Sequence, residues 1–253
     1  MRALSRTTLR HKCRTTEDMN SLTIICDNNS KNPALEASWG FSCLIEGFKN
    51  KILFDTNSDG KILLKNMHLL GVIPEDIQTV VLSHHHWDHT NGLSVFLSKN
   101  PDVSVYIPES FPSEIKTNIK NSWSNCIEVS DSLEIMKDIY TTGELKSEVN
   151  EQSLILKTQN GITLLLGCAH PGINNVIKQV QERYKKEIYM IIGGFHLYKK
   201  DERSIKEIIN RIKESGVRKV APCHCTGTKA KDYLKFVYGK DYVEVGCGSK
   251  IFI

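Results

Sequence analysis

The run His84-His85-His86-Trp87-Asp88-His89 places four potential metal ligands, His84, His86, Asp88 and His89, within six residues. Its flanks restrict what it can be. Residues 79–82 read as a short buried strand that delivers the chain directly into His84. Thr90 stands where it can cap a helix running through Leu93, Phe96 and Leu97. A loop held between a strand and a helix fixes its side chains more firmly than a free loop does. On such a turn His84 and His86 point one way and can grip one ion, while Asp88 and His89 reach a second beside it. Imidazole and carboxylate suit zinc, and also iron or manganese. The plainer alternative, an exposed His-rich loop that binds stray metal, is disfavoured by those flanks.

The same arrangement recurs along the chain. Residues 21–26, 41–46 and 51–54 read as strands, the third followed by Asp55-Thr56, and residues 60–70 as a helix ended by Gly71. Residues 103–107 read as a strand, 110–121 as a helix, and 126–129, 133–136 and 138–141 as a meander. A hairpin around Asn160-Gly161 joins strands 153–158 and 162–166. The second of these ends in Gly167-Cys168-Ala169-His170, ahead of a helix over 173–185. Strand 187–192 ends in Gly193-Gly194-Phe195-His196 before a helix over 204–215, and strand 218–221 ends in Pro222-Cys223-His224-Cys225-Thr226-Gly227. Strand, histidine-bearing loop and helix thus follow one another four times. This predicts an α/β chain with its functional groups gathered where strands end on one sheet edge.

At 253 residues, 40% hydrophobic and 25% charged, the chain can bury a full core. No apolar run approaches the ~20 residues of a membrane span, so no membrane partner is expected. The formal charge of +4 is concentrated at the start, where Arg2, Arg6, Arg10, Lys12 and Arg14 face only Glu17 and Asp18. The remainder is close to neutral, which disfavours nucleic acid as a partner. Residues 1–20 are basic, rich in Ser and Thr, and without apolar periodicity. They read as a flexible extension to a single domain over 21–253, with translation from Met19 or an organelle-targeting peptide as other readings. The eight cysteines are scattered and no secretory signal is visible, which predicts a reducing cytoplasm. Cys168, Cys223 and Cys225 fall near the histidine loops. Cys13, Cys26, Cys43, Cys126 and Cys247 read as tail or core thiols.

Of the nine histidines, His11 lies in the tail, His68 in a helix, and His85 alternates away from its neighbours. The other six, with Asp88, suit two divalent ions: one on His84, His86 and His170, the other on Asp88, His89 and His224. Such a pair activates water and stabilises developing oxyanion charge, so Asp88 is a catalytic candidate as well as a ligand. His196 is expected beside the metals as a catalytic group. Cys168 stands where a Gly-Asp pair would supply a bridging carboxylate; a bridging thiolate and a buried packing thiol both stay open. Asp55 is a candidate to orient a histidine through its second ring nitrogen, or a turn cap. Gly167 to Gly172 and Cys225 to Gly227 offer backbone N–H groups, Thr226 and Thr228 offer hydroxyls, and Lys229 and Lys231 are candidates to hold a phosphate.

Asp55-Thr56, the segment from Ser83 to Leu93 and the later histidine loops resemble the metallo-β-lactamase superfamily. Gly167-Cys168-Ala169-His170-Pro171-Gly172-Ile173, Gly193-Gly194-Phe195-His196-Leu197 and His224-Cys225-Thr226-Gly227 are most similar to one subgroup. It contains 7,8-dihydropterin-6-methyl-4-(β-D-ribofuranosyl)aminobenzene-5′-phosphate synthases and metal-dependent hydrolases. The resemblance, over residues 21–253, implies an αββα sandwich of two mixed sheets flanked by helices, and a zinc-type dinuclear site on the residues just assigned. Asn57 and Asn91 stand where glycines are common in the family. His86, in place of a glutamate, disfavours the oxygen-reducing diiron branch.

The expected function is a metal-dependent hydrolase acting on a phosphate ester or carbonyl ester of a small, phosphorylated or ester-containing metabolite. Alternatives are the pterin condensation of the synthases, a ribonuclease of the tRNA-processing type, and a non-catalytic metal or redox sensor built on Cys168, Cys223 and Cys225. A homo-oligomer is compatible with the sequence.

Overall fold

The computed structural model describes residues 19–253. Most of the expected extension over 1–20, with His11 and Cys13, therefore lies outside the described residues. Two mixed sheets pack face to face and carry helices on their outer sides. One holds seven strands in the order β13-β1-β2-β3-β4-β5-β6: Lys250–Phe252, Ser21–Cys26, Ser42–Glu46, Lys51–Phe54, Ile77–Val81, Ser104–Pro108 and Asn125–Val129. The other holds six in the order β12-β11-β10-β9-β8-β7: Lys219–Cys223, Ile188–Gly194, Gly161–Leu166, Leu154–Thr158, Ile139–Thr141 and Glu134–Met136. This is the αββα sandwich implied by the sequence.

Strand alternation produces the layers. Along β10, Leu164 and Leu166 face the outer helices and Leu165 faces the opposite sheet; along β2, Leu44 faces out while Cys43 and Ile45 face in. Three apolar layers result. The central one joins the sheets through Ile24, Phe54, Val81, Leu165, Ile192 and Ala221. One flanking layer packs the first sheet on α1 (Gly60–Leu69), α3 (Leu93–Leu97) and α4 (Ser113–Asn121), through Leu63, Phe96 and Ile119. The other packs the second sheet on α5 (Ile173–Tyr184), α6 (Glu202–Glu214) and α7 (Thr228–Tyr238), through Val176, Ile209 and Leu234. Strands with both faces covered read as continuous apolar runs, which is why β1 and β10 were visible.

Strands β3 to β6 run parallel, as do β10 to β12. Parallel strands end on the same edge, so the loops after β3, β4, β10, β11 and β12 gather there. Two local expectations are corrected. The stretch 126–141 is not one meander: β6 pairs parallel with β5 in the first sheet, while β7 and β8 pair antiparallel with each other, and β8 with β9, in the second. Thr90 does not cap a helix. It lies inside a helical turn of its own, α2 (Trp87–Thr90), and its hydroxyl donates back to the His86 carbonyl at 3.0 Å. Gly92 then starts α3 without a side-chain cap, packed so closely that a Cβ there would lie 1.8 Å from the Thr56 carbonyl oxygen. Among the described residues no helix is long and apolar enough to cross a membrane.

Candidate metal centre

The five loops bring their polar side chains to one point. Donor atoms of His84, His86 and His170 lie within 4.8 Å of one another, as do those of Asp88, His89 and His224. Cys168 joins the two groups, forming a set of the same span with His84 and His89; its Sγ is 3.4 Å from His89 Nε2. The ring of His196 lies tilted against that of His170, with centroids 4.3 Å apart, and His196 makes a further cluster with Cys168 and Cys225.

Buried partners on the far side select the ring tautomers. Asp55 Oδ2 accepts from His89 Nδ1 at 2.7 Å and from the Ser83 hydroxyl at 2.7 Å; Ser83 Oγ accepts in turn from His84 Nδ1 at 2.9 Å. His224 Nδ1 donates to Asn28 Oδ1 at 3.1 Å. In all three rings the outer nitrogen carries a proton, which turns Nε2 inward, where it can serve as a metal ligand. These inner nitrogens meet one another. His84 Nε2 stands 3.1 Å from His86 Nδ1, His89 Nε2 stands 3.2 Å from His224 Nε2, and the buried His170 Nε2 has no hydrogen-bond partner. Ring nitrogens that converge on one another, beside a buried one without a partner, can be satisfied by a cation between them, so the donor set fits divalent metal.

Electrostatics distinguish the rings. Burial, then neighbouring histidines, lower the His84 pKa, and the same causes take His170 down to about 3, so both are neutral at pH 7. Burial works against charge on His89, but Asp55 more than offsets it and raises the pKa to about 9. Burial would raise the Asp88 carboxyl; its hydrogen bond with His224 and the charge of His89 hold it well below the usual range. Four residues here adopt left-handed backbone: Asp55 (φ 58°), Ala169 (φ 60°), His196 (φ 52°) and His224 (φ 47°). Non-glycine residues pay roughly 1–3 kcal/mol for this, and it persists where the surroundings overdetermine it, as at functional sites. Asn57 (φ 64°) does likewise, which explains why a glycine is common at its position.

Comparison with known proteins bears on the family and the fold. The metallo-beta-lactamase superfamily model matches residues 40–147. An uncharacterized protein of Methanocaldococcus jannaschii is 30% identical, over 85% of this chain and 96% of its own length. The chain belongs to the metallo-beta-lactamase superfamily. The 7,8-dihydropterin-6-methyl-4-(beta-D-ribofuranosyl)-aminobenzene-5'-phosphate synthase of the same organism is 28% identical over 90% of this chain and 95% of its own. A solved metal-dependent hydrolase of the beta-lactamase superfamily superposes with a TM-score of 0.78 at 27% identity, covering 92% of this chain and 99% of that one. The short form of human tRNase Z superposes with a TM-score of 0.62 at 13% identity, covering 92% of this chain and 99% of that one, a likeness of fold.

Within this superfamily site several expectations are corrected. The backbone N–H groups of Cys168, Ala169 and His170 do not face a substrate. They donate inward to the fully buried Glu151 carboxylate at 2.8, 2.9 and 2.7 Å. Thr226 is buried and spends its hydroxyl on the Cys223 carbonyl and the Phe195 N–H. Cys223 packs in the core between the sheets, away from Cys225 and Cys168. Lys229 and Lys231 stand on α7; the cavity beside His170 and His196 is lined instead by Lys200 and Arg211. His85 points outward against Phe111, with ring centroids 6.2 Å apart.

Sequence reasoning missed four supporting groups. Glu151 sits in a polar stretch with no periodic signal. Asp27 accepts from the His224 N–H at 2.7 Å, and Asn28 also bonds that loop. Trp39 donates its indole N–H to Asp88 Oδ2 at 2.9 Å and packs on His224 and Tyr198. Only Asp27 carried a usable signal, since it follows a buried strand just as Asp55 does.

Proposed function

We propose that the protein is a metal-dependent hydrolase of a small phosphate or carbonyl ester. His84, His86 and His170 would hold one divalent ion, and Asp88, His89 and His224 the other. The zinc-type donor set also accommodates iron or manganese. The observation that carries this reading is the convergence of ring nitrogens, His84 on His86 and His89 on His224, beside the unpartnered His170 Nε2. When bound, such an ion pair supplies hydroxide at neutral pH and offsets charge developing on the attacked group.

The chain's own residues do the rest. Asp88 stays ionised at neutral pH, and Trp39 fixes its orientation from outside. His196, held beside His170, is placed to hand a proton to the leaving group or to hydrogen-bond the developing oxyanion. Cys168, between the two donor groups, would take the bridging position as a thiolate. A second reading, a transferase that condenses a pterin with a phosphorylated ribofuranosyl aminobenzene, is favoured by the identity to the archaeal synthase over 90% of the chain.

Elemental analysis of protein purified without added metal or a histidine tag tests the site. Two equivalents of divalent metal are expected. None, with no uptake on adding metal, would overturn both readings. Turnover of phosphodiesters and lactones by the loaded protein separates hydrolase from transferase.

A further inference from the structure

A cavity of about 390 Å³ opens directly from the metal edge. His170 and His196 line it, together with the apolar Phe195 and Ile208 and the cationic Lys200 and Arg211. Its volume is that of a small-molecule pocket. Its charge is one-sided: no carboxylate lines it, and neither Lys200 nor Arg211 has an acidic partner within 4.0 Å among the described residues. The lining therefore presents two positive side chains and no negative one beside His170 and His196. The first turn of α5 also contributes to the lining, with no acidic residue and no capping side chain.

We propose that this cavity is an anion subsite that holds a phosphomonoester group of the substrate, with Lys200 and Arg211 as its charge partners. Resting on the hydrolase reading, it places the bond to be broken beside His170 and His196, and the phosphate at Lys200 and Arg211. The substrate class is then a phosphorylated organic molecule with a compact, largely apolar or planar body between its reacting group and its phosphate. Two cations match the charge of a dianionic phosphate better than that of a monoanionic carboxylate.

The test is calorimetric and independent of turnover. The full chain, stripped of metal with a chelator, is titrated with phenyl phosphate, benzoate and phenol. Wild type is expected to bind phenyl phosphate at least tenfold more tightly than benzoate, with phenol weaker still. The exposed, fold-neutral double substitution Lys200→Gln with Arg211→Gln is expected to lose at least tenfold for phenyl phosphate, with phenol unchanged. Equal binding of phenyl phosphate by wild type and variant, or none by wild type, overturns the subsite. Benzoate binding as tight as phenyl phosphate overturns the assignment to phosphate. Failure of the hydrolase reading shows separately, as missing metal or missing turnover in the loaded enzyme.

Discussion

Asp55 Oδ2 lies 2.7 Å from His89 Nδ1, and both side chains are wholly buried. Removing the carboxylate charge while keeping its shape isolates what this contact does. Asp55→Asn is expected to weaken metal binding on the Asp88–His89–His224 side by about 10–100-fold, the usual effect of losing a carboxylate behind a ligand histidine. The His84–His86–His170 side should be affected less, since Ser83 stands between Asp55 and His84. Competition titration with a chromogenic chelator reads both affinities, and equal losses at both would refute this division of labour.

The same contact sets the pH behaviour of the metal-free protein. His89 titrates at about 9 in the fold, above the ~6.5 of an unfolded histidine. It therefore contributes fully below about pH 6.5, and the contribution, about 3 kcal/mol, is lost as pH rises through 9. His84 and His170 act oppositely: their lowered values withdraw stability as pH falls below about 6.5. Urea midpoints of chelator-treated protein should peak near neutrality and fall on both sides. Metal-loaded protein should lose the alkaline decline, because a ligated His89 has already given up its proton.

How far the sequence reveals this site depends on where each residue's partner lies. The ligand candidates were legible because each ends a buried strand in a parallel stretch, and parallel strands deliver their ends to one edge. Asp55 was legible for the same reason. The sandwich came from family resemblance, while the strands themselves came from apolar runs. Glu151 was not legible: its partners are three backbone N–H groups some seventeen to nineteen residues away, and backbone groups leave no mark in a sequence. Trp39 was invisible in the same way, because an exposed indole acquires meaning only from its contact with Asp88. The grouping of 126–129 with the strands that follow it reflects a limit of periodicity, which identifies a strand but not its neighbour.

Glu151 is the group whose loss should disturb the loop most. Burial raises its pKa, against the pull of three backbone donors and His89. Glu151→Gln keeps the volume but replaces one acceptor oxygen with a donor that faces N–H groups. A buried donor left without a partner costs about 1–3 kcal/mol. The variant is expected to lose about 2 kcal/mol in urea denaturation and to bind metal more weakly at His170. An unchanged midpoint would mean that the loop is held by packing alone.

Asp88 and His196 are expected to fail in different ways, which separates a ligand from a proton-transfer group. Asp88→Asn removes an anionic donor whose Oδ2 lies 3.4 Å from His224 Nε2 and 3.9 Å from His89 Nε2. It should lower metal content at that side and reduce turnover by orders of magnitude. His196→Ala should keep both metal equivalents, because the paired donor sets do not include it, and should lower kcat by roughly 10²–10⁴-fold, the range for losing a general acid. It should also flatten one limb of the pH–rate profile. Loss of one metal equivalent in His196→Ala would instead make His196 a ligand. Full turnover in Asp88→Asn would remove the basis for a dinuclear mechanism. Metal analysis and kinetics on the same preparations decide between these outcomes.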